Sequence, residues 1–283
     1  MLTGMEPFEP FLTHWELRPD GATLASLNGR LLPVWRGGTP LMLRVATATE
    51  EEQGAATLAW WDGDGAARVL ARDGTALLME RAPGSHSLAR MAREGQDEEA
   101  TRVLCAVAVR LHAPRPNPPP GLVPLPELFR DLEPTARAHA AKPHGDLLLR
   151  AHATAQALLA EPQEPVVLHG DLHHGNVLDF GPGRGWLAID PKGVWGERGF
   201  DHANIFTNPD LDHPDPPVAT VPAIFQRRLE LVAEAAHLER RRLLEWVLAW
   251  CGLSAAWFLG DGDEGSACLD LAVAALAAAD LDR

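Results

Sequence analysis

The chain has 283 residues and a formal net charge of −14, with 46% apolar and 23% charged residues. This composition is typical of a soluble globular protein of one large or two moderate domains, and the negative charge argues against nucleic acid as a partner while being compatible with a polycationic ligand. No uninterrupted apolar run reaches bilayer length and the N-terminus does not resemble a signal peptide, so we expect a cytoplasmic protein without a membrane partner.

Three cysteines, Cys105, Cys251 and Cys268, lie far apart and lack the C-x-x-C spacing of a zinc or redox site. We therefore predict small buried side chains rather than disulfides or metal ligands. The sequence leaves the oligomeric state open between a monomer and a small homo-oligomer.

The first part of the chain, residues 1–82, has the pattern of a small β-rich lobe. Weak alternation from Thr23 to Val34 surrounds the loop signal Asn28-Gly29, and an apolar strand follows a Gly- and Pro-rich turn, which together predict a hairpin. The next segment has an acidic first turn, which suits the dipole of a helix. The elements predicted after Val34 are a strand over Leu41 to Val45, a helix over Glu50 to Trp61, and strands over Ala66 to Ala71 and Thr75 to Glu80.

The second part, residues 83–283, has mainly helical periodicity, interrupted by a Pro-rich surface loop over 114–120. An H-G-D-L sequence at His144 to Leu147 lacks an Asn at the right distance, so Asp146 is predicted to be the N-cap or a first-turn acid of a helix. Predicted helices cover Ser87 to Glu94, Asp97 to His112, Leu125 to Ala141, Leu147 to Leu159, a segment beginning at Gly199, Ala223 to Ala236, Glu239 to Leu259 and Glu264 to Ala279.

The stretch from Val166 to Asp201 carries the most specific pattern in the chain. A short apolar strand over 166–168 ends at H-G-D, and two further strands, 177–180 and 186–189, flank the turn signal G-P-G-R-G. A hairpin of this kind returns the end of its last strand to the start of the preceding one. It therefore predicts that Asp190 comes back beside Asn176, close to Asp171.

Two carboxylates and one carboxamide that converge in this way suit phosphoryl transfer. Asp171 could orient an acceptor hydroxyl and take its proton, while the Asn176 carbonyl oxygen and the Asp190 carboxylate offer the hard oxygen ligands that Mg²⁺ prefers. In such a reaction the metal offsets charge on the nucleotide phosphates, and positioning by the protein accounts for most of the remaining catalysis.

The motif H-G-D-L-H-H-G-N, with I-D nineteen residues after its Asp, resembles the catalytic and metal loops of the aminoglycoside phosphotransferases. The longer run I-D-P-K-G, followed by G-E-R-G-F-D and N-P, is similar to the streptomycin 6-kinase and hydroxyurea-resistance kinase branch. The resemblance implies an α+β, bilobal protein-kinase-like fold, with a β-rich N-lobe over 1–82 and a larger, mainly helical C-lobe over 83–283 that carries a catalytic β-hairpin. It also implies that Asp171 is catalytic and that Asn176 and Asp190 bind Mg²⁺.

In this fold, a Lys on the third strand normally holds the α- and β-phosphates and pairs with a Glu on the following helix. The matching position here is Arg44, and the first lobe contains no Lys. Arg keeps the charge but is longer and planar, so the geometry must differ. Glu52 is the expected partner, with Glu51 as the alternative. Asn28 lies in a loop whose backbone N–H groups could cradle the phosphates, with an ordinary turn as the alternative.

The resemblance also implies a hinge over 79–84, where the backbone of Met79, Glu80 and Ala82 is expected to meet the adenine ring of ATP, with GTP as the open alternative. The acceptor site is expected between the end of the hairpin and the C-terminal helices. Its candidate residues are Lys192, Trp195, Glu197 and Asp201, the last of which is also expected to tie the catalytic loop, together with an acidic loop of Asp261, Asp263 and Glu264.

These features predict a kinase that transfers the γ-phosphoryl group of ATP to a hydroxyl of a streptomycin-like aminoglycoside. A kinase for hydroxyurea or another small hydroxylated metabolite, and a pseudokinase weakened by Arg44, are the alternatives. A metallohydrolase using His169, His173 and His174 is the alternative from another class, although the H-x-x-x-H-H spacing leaves Asn176 and Asp190 without a role.

Overall fold

The computed structural model describes residues 5–26, 29–46 and 51–283. The first part of the chain forms an antiparallel sheet in the order β1-β3-β4-β6-β5, with β2 paired to β3. Its strands are β1 (Arg18–Pro19), β2 (Leu24–Ser26), β3 (Gly29–Arg36), β4 (Thr39–Ala46), β5 (Val69–Asp73) and β6 (Ala76–Glu80). Helix α1 (Glu9–His14) precedes the sheet, and α2 (Glu51–Trp61) lies between β4 and β5.

The predicted hairpin of this lobe is formed by β3 and β4. The turn between them is Gly37-Gly38, and both glycines have positive φ (55° and 83°), which suits the twist of a tight hairpin. The apolar side chains of the two strands alternate and meet those of α1 in a core of the lobe's own, which includes Phe8, Leu32, Leu43 and Leu78. The predicted helix over Glu50 to Trp61 is confirmed as α2.

The second part of the chain is mainly helical, as predicted. Its helices are α3 (Leu88–Met91), α4 (Asp97–Leu111), α5 (Leu125–Leu128), α6 (Leu132–His139), α7 (Gly145–Ala160), α8 (Gly199–Ala203), α9 (Pro222–Ala235), α10 (Arg240–Asp261) and α11 (Glu264–Leu281). Asp146 is in the first turn of α7, as predicted. The core of this part is continuous through α4, α7, α10 and α11.

The predicted helix over Leu125 to Ala141 is wrong as one element. The structure has α5, a 3₁₀ turn over Phe129–Asp131, and then α6. Pro134 explains the break, because a proline has no N–H to donate and its ring clashes with the carbonyl four residues earlier, which belongs to Arg130. The chain therefore changes its helical form just before this proline.

Five short strands organise the functional part of the second lobe. Strand β11 (Val194–Glu197) pairs antiparallel with β8 (Pro165–Leu168) and parallel with β7 (Val123–Pro124). Strands β9 (Val177–Asp179) and β10 (Trp186–Ala188) form the predicted antiparallel hairpin, with Val177 opposite Ala188. Strand β11 is not predicted from the sequence, because its apolar and polar residues do not alternate strongly.

The predicted strand over Ala66 to Ala71 is partly wrong, because β5 begins only at Val69. Residues just before it pair instead with the second lobe: the Ala67 N–H donates to the Ala188 carbonyl at 2.9 Å, and the Ala188 N–H donates to the Gly65 carbonyl at 2.9 Å. The β9–β10 hairpin is therefore hydrogen-bonded to the first lobe along its outer strand.

Helix α10 is, by length and composition, apolar enough to cross a membrane, but 72% of its most apolar window is buried inside the fold. Trp246 and Trp250 are buried at 1% and 4% exposure, as expected for a core helix. Cys105 and Cys251 are buried free thiols, whereas Cys268 is exposed, which corrects the expectation that all three are buried.

Candidate active site

The loop that follows β8 is held from beneath by one buried carboxylate. Asp201, on α8, is 1% exposed and accepts the backbone N–H groups of His169 and Gly170, both at 2.8 Å. The His112 imidazole donates to the same carboxylate at 2.8 Å. Burial alone would raise the pKa of Asp201, but these hydrogen bonds and nearby histidines outweigh it and leave that pKa lowered. Asp201 thus fixes the loop that leads to Asp171.

His169 continues this support. Its Nδ1 atom accepts the backbone N–H of Asp171 at 3.2 Å, and its Nε2–H donates to the Ile189 carbonyl at 2.8 Å. Burial lowers the pKa of His169, so the neutral ring with one donor and one acceptor is the form that fits these partners. The ring therefore joins the segment that carries Asp171 to the segment that leads to Asp190.

The Asp171 carboxylate is held by two side-chain amides. The Asn176 Nδ2 atom donates to Asp171 Oδ2 at 3.1 Å and to the Asp171 carbonyl at 2.8 Å, and the Asn204 Nδ2 atom donates to Asp171 Oδ1 at 3.0 Å. His173 Nε2 lies 3.8 Å from Oδ1. The carboxylate remains about one-third exposed, so a reactant can reach it.

The hairpin brings Asp190 back to Asn176, as its spacing predicts. The Ile189 N–H donates to the Asn176 carbonyl at 2.9 Å, which places the next residue, Asp190, beside the loop of Asp171. Asp190 has φ 58°, in the left-handed region that a non-glycine residue rarely adopts. Such strain is typical of functional sites, and here a glycine would lack the carboxylate.

Two cations compensate Asp190. Arg44, from β4 of the first lobe, lies 2.7 Å from Asp190 Oδ1, and Lys192 Nζ lies 3.2 Å from Oδ2. Burial would raise the pKa of Asp190, but Lys192 and Arg44 outweigh burial and the pKa is lowered. The group is therefore a carboxylate at neutral pH.

The oxygen donors of this site fit Mg²⁺. The Asn176 amide nitrogen is committed to Asp171, which leaves the side-chain carbonyl oxygen as the atom that can meet a metal. Together with the Asp190 carboxylate it makes the small protein donor set that Mg²⁺ uses when substrate phosphates and water complete its shell. Among the residues that the structure describes, no group of three His, Cys, Asp or Glu side chains could hold a metal by itself.

The histidines of the loop do not form the alternative metal site. Both ring nitrogens of His169 are hydrogen-bonded, and His173 Nδ1 accepts the Gly175 N–H at 3.1 Å. His174 is buried, and burial together with Arg228 and Arg93 lowers its pKa far below the usual value. Among the described residues, these histidines and the neighbouring acids form no group of three that could hold a metal ion, which speaks against the metallohydrolase alternative.

The residues expected around the nucleotide are placed as follows. The Glu52 side chain is exposed on α2, and Asn28 and the Glu51 side chain lie outside the described residues, so the partner of Arg44 on α2 stays a prediction. Glu80 ends β6: its N–H donates to the Arg68 carbonyl at 3.0 Å and its carboxylate accepts from Arg184 at 2.9 Å.

The hinge segment contacts the catalytic hairpin directly. Arg184 lies in the hairpin turn, so its bond to Glu80 joins the two lobes. Ala82 packs on Phe180 and Leu187 of the hairpin. A Cβ atom at Gly84 would lie 2.2 Å from the Asp179 carboxyl carbon, which explains why only glycine fits there. Met79 is 6% exposed, so its side chain belongs to the core and only its backbone could meet a nucleotide.

The candidate acceptor residues separate into two groups. Lys192 pairs with Asp190, and Trp195 is 39% exposed on β11. Glu197 is 2% exposed and accepts from Arg242 at 2.6 Å and from Trp246 at 2.7 Å. Because Glu197 and Asp201 are buried with their carboxylates fully engaged, neither can meet an acceptor, which corrects that expectation.

The predicted acidic loop after α10 is also used structurally. Asp263 caps α11 by accepting the Ser266 N–H at 3.1 Å, and Glu264 lines a cavity of about 210 Å³ together with residues of the α6–α7 connection. No described contact links this loop to Asp171 or Asp190. A different acid, Asp212, lies against the catalytic loop: a Cβ atom at Gly175 would be 3.4 Å from its Oδ2 atom.

Sequence reasoning missed Asn204 and His112. Asn204 follows Asp201 by three residues, which places both on one face of a helix turn. That spacing is a usable signal, because Asp201 is expected to tie the loop. His112 is 89 residues from Asp201, and no local pattern could have joined them.

The chain is similar to known kinases over nearly its whole length. A family model described as aminoglycoside/hydroxyurea antibiotic resistance kinase matches residues 14–262. The chain is 54% identical over 273 residues to streptomycin 3''-kinase of Klebsiella pneumoniae, covering 96% of this chain and 100% of that protein. It is 36% identical over 280 residues to streptomycin 6-kinase of Streptomyces glaucescens, covering 96% and 87%.

The fold has solved counterparts. A thermostable mutant of aminoglycoside phosphotransferase APH(4)-Ia, in ternary complex with AMP-PNP and hygromycin B, matches with a TM-score of 0.68 at 14% identity, covering 97% of this chain and 99% of that chain. At this identity the match shows the fold, and it confirms the predicted bilobal α+β architecture.

Proposed function

The chain belongs to the aminoglycoside/hydroxyurea antibiotic resistance kinase family, and on that premise we propose that it transfers the γ-phosphoryl group of ATP to a hydroxyl group of a streptomycin-like aminoglycoside. The observation that carries the proposal is the convergence of Asp171, Asn176 and Asp190 at one end of the hairpin. Two relatives named as streptomycin kinases support the choice of acceptor.

We propose that Asp171 is the catalytic base. The acceptor oxygen attacks the γ-phosphorus, the bond from that phosphorus to the β–γ bridging oxygen breaks, and ADP leaves. The hydroxyl proton passes to the Asp171 carboxylate, whose two oxygens keep lone pairs beyond those used by Asn176 and Asn204. Because the carboxylate is held from two sides, it meets the hydroxyl in one orientation.

Asn176 and Asp190 are the proposed ligands of Mg²⁺. When bound, the ion supplies charge that offsets the negative charge of the nucleotide phosphates. Arg44 and Lys192 contact Asp190 and are positioned to contact phosphate oxygens when a nucleotide is present. The backbone of Met79, Glu80 and Ala82 is the proposed adenine contact, and Asn28 and Glu52 remain candidates on the phosphate side.

The acceptor site is proposed on the side of the loop that carries Asp212. The chain there is rich in Asp and Pro, and its carboxylates suit the guanidinium groups of streptomycin. Lys192 and Trp195 remain candidate contacts. A net charge of −14 favours the approach of a polycation. The division of lobes at residue 82, a cytoplasmic location and a monomer or small homo-oligomer remain predictions.

A phosphorylation screen tests this function. The purified protein is incubated with ATP or GTP, Mg²⁺ and a panel of streptomycin, other aminoglycosides, hydroxyurea and simple alcohols, and products are identified by mass spectrometry. We expect a single added phosphoryl group on streptomycin, and fragmentation assigns the hydroxyl that receives it. Phosphorylation of hydroxyurea alone, or nucleotide binding without any transfer, would replace the proposal with one of the alternatives.

A further inference from the structure

We propose that Asn208 and Asn204 form an amide relay that holds the catalytic carboxylate of Asp171 in its working orientation. Both asparagines are buried, at 3% and 2% exposure. Asn208 Nδ2 donates to Asn204 Oδ1 at 3.2 Å and to the Asn204 carbonyl at 3.2 Å, and Asn204 Nδ2 donates to Asp171 Oδ1 at 3.0 Å. The inference rests on the proposed kinase function and assigns both residues as positioning residues.

The chemistry of the partners fixes the direction of the relay. A carboxylate only accepts hydrogen bonds, so Asn204 must turn its NH₂ group toward Asp171 and its carbonyl oxygen away. Asn208 supplies the donor that satisfies that oxygen. If the Asn204 amide turned over, two acceptors would face each other at Asp171 and two donors would face each other at Asn208. Asn208 therefore selects one of the two amide orientations of Asn204.

Two arginines anchor the backbone that carries the relay. Arg228, 1% exposed, donates to the carbonyls of Ile205 and Asn208 at 2.9 and 2.7 Å and pairs with Asp97 at 2.6 Å. Arg93 donates to the carbonyl of the next residue, Pro209, at 2.8 Å. The relay therefore connects the catalytic loop to a buried ion pair between α4 and α9.

Asn204 differs from Asn176, the other amide that donates to Asp171, because Asn204 has no proposed role as a metal ligand. Asn176 offers its carbonyl oxygen to the proposed metal site, so its position must follow the nucleotide complex. Asn204 Oδ1 faces Asn208, so the Asn204 donor stays directed at Asp171 throughout the reaction. An amide also orients the carboxylate without placing a positive charge beside the group that must take a proton.

Alanine and aspartate variants of Asn204 and Asn208 distinguish a directed hydrogen-bond donor from a residue that only fills space. Asn204→Ala removes the donor, and Asn204→Asp keeps the shape but opposes a carboxylate to a carboxylate. Asn208→Ala removes the amide that donates to Asn204 Oδ1. Asn208→Asp favours the reversed orientation of the Asn204 amide, because a carboxylate at position 208 can only accept a hydrogen bond where the Asn208 amide donates one. We expect kcat to fall roughly 100-fold in Asn204→Ala and Asn204→Asp, as for a misplaced reacting group. KM for ATP should stay near the wild-type value.

The order of the Asn208 variants is the sharpest result. Asn208→Asp should lower kcat more than Asn208→Ala, and the Asn204→Ala/Asn208→Ala double variant should match Asn204→Ala, because Asn208 acts through Asn204. A purely structural role predicts that the loss of kcat follows the loss of thermal stability from variant to variant, and that losses multiply in the double variant. Thermal unfolding of each variant monitors folding, and Asp73→Asn, at the exposed end of β5 in the first lobe, is the matched surface control.

Two further measurements test the relay even if the proposed acceptor, streptomycin, is wrong. Rates of phosphoryl transfer are measured with streptomycin and, as ATP hydrolysis, with water as acceptor. If the wild type hydrolyses ATP but does not phosphorylate streptomycin, the proposed acceptor is overturned. The hydrolysis rates of the variants then still test the relay. Crystal structures of the wild type and Asn208→Asp need no turnover. We expect a rotated Asp171 carboxylate in the variant, and an unchanged carboxylate there would overturn the relay.

Discussion

Asp171 and Asp190 both belong to the candidate site, but they are held by different kinds of group. Asp171 accepts from the neutral amides of Asn176 and Asn204, both from the second lobe. Asp190 contacts the cations Arg44 and Lys192, and Arg44 comes from the sheet of the first lobe. The region of the proposed base is thus built within one lobe, whereas the region of the proposed metal ligand is built between two.

The difference fits the roles proposed for the two acids. A base has to gain a proton during turnover, and neutral donors orient it without the electrostatic penalty that a cation would impose on protonation. A metal ligand has to remain ionised, and Arg44 and Lys192 lower the pKa of Asp190 despite burial. Only the metal region depends on the position of the first lobe, so we expect nucleotide binding and lobe closure to alter Asp190 more than Asp171.

The largest predicted effect comes from Asp171→Asn, which removes the base while keeping the shape of the side chain. We expect kcat to fall roughly 1,000-fold, in the range found for general-base groups. Nucleotide affinity should be largely retained, because no nucleotide contact is assigned to this side chain. Steady-state kinetics with streptomycin and calorimetric titration with ADP and Mg²⁺ measure the two quantities. Near-normal turnover would remove Asp171 from the role of base.

The sequence predicted the region of Asp171 better than the region that supports it. The H-G-D and hairpin spacing placed Asp171, Asn176 and Asp190 together, because these contacts are local or arise from one hairpin. Their supports come from distant segments, such as His112, the residue after α4, for Asp201, and no short-range pattern encodes such pairs. Glu197 shows the converse error, since a residue close in sequence to Asp190 proved to be buried under Arg242 and Trp246.

The second-largest effect is expected for Asp190→Asn. This variant tests whether Asp190, which contacts two cations, is a ligand of the metal. We expect affinity for ADP with Mg²⁺ to fall roughly 100-fold, because one charged ligand is lost. Affinity for ADP without metal should hold or rise, because Arg44 and Lys192 lose their counter-ion and can face phosphate. Paired calorimetric titrations with Mg²⁺ and with EDTA measure both affinities. Equal losses in the two titrations would contradict the assignment of Asp190 to the metal.

A smaller effect is expected at Arg44, the contribution of the first lobe to this region. Arg44→Ala should lower kcat/KM for ATP roughly 10- to 100-fold, as for loss of a charged hydrogen bond. Arg44→Lys restores the residue expected at this position of the fold and should stay within about tenfold of the wild type. Kinetics at varied ATP and saturating streptomycin give both values. Full activity of Arg44→Ala would show that the Arg44 side chain is not needed to hold the phosphates.

Asp270 is a third acid, and no amide or cation compensates it among the described residues. We expect its substitution to have the smallest effect on function but a clear effect on stability. Asp270, on α11, is fully buried, and among the described residues its polar neighbour is the Ser254 hydroxyl. Burial raises the pKa of Asp270 from 3.8 to about 8, an effect that Ser254 offsets only in part. This acid shows what burial does when neither an amide nor a cation compensates it.

The sign of the pH dependence follows from proton binding. Between the unfolded value of 3.8 and about 8, the folded protein keeps a proton on Asp270 that the unfolded chain has lost. The free energy of unfolding should therefore fall by about 1.4 kcal/mol per pH unit over that window because of this group, and level off above it. Asp270→Asn removes this dependence, so its stability advantage over the wild type should grow from about pH 5 to about pH 8. Urea unfolding at a series of pH values measures this difference in stability. Asp73→Asn is the control for loss of an exposed charge, and kcat of Asp270→Asn should equal that of the wild type. Parallel pH curves for the wild type and Asp270→Asn would show that Asp270 is solvated or paired, and so is not distinguished from Asp171 and Asp190 by burial without a partner.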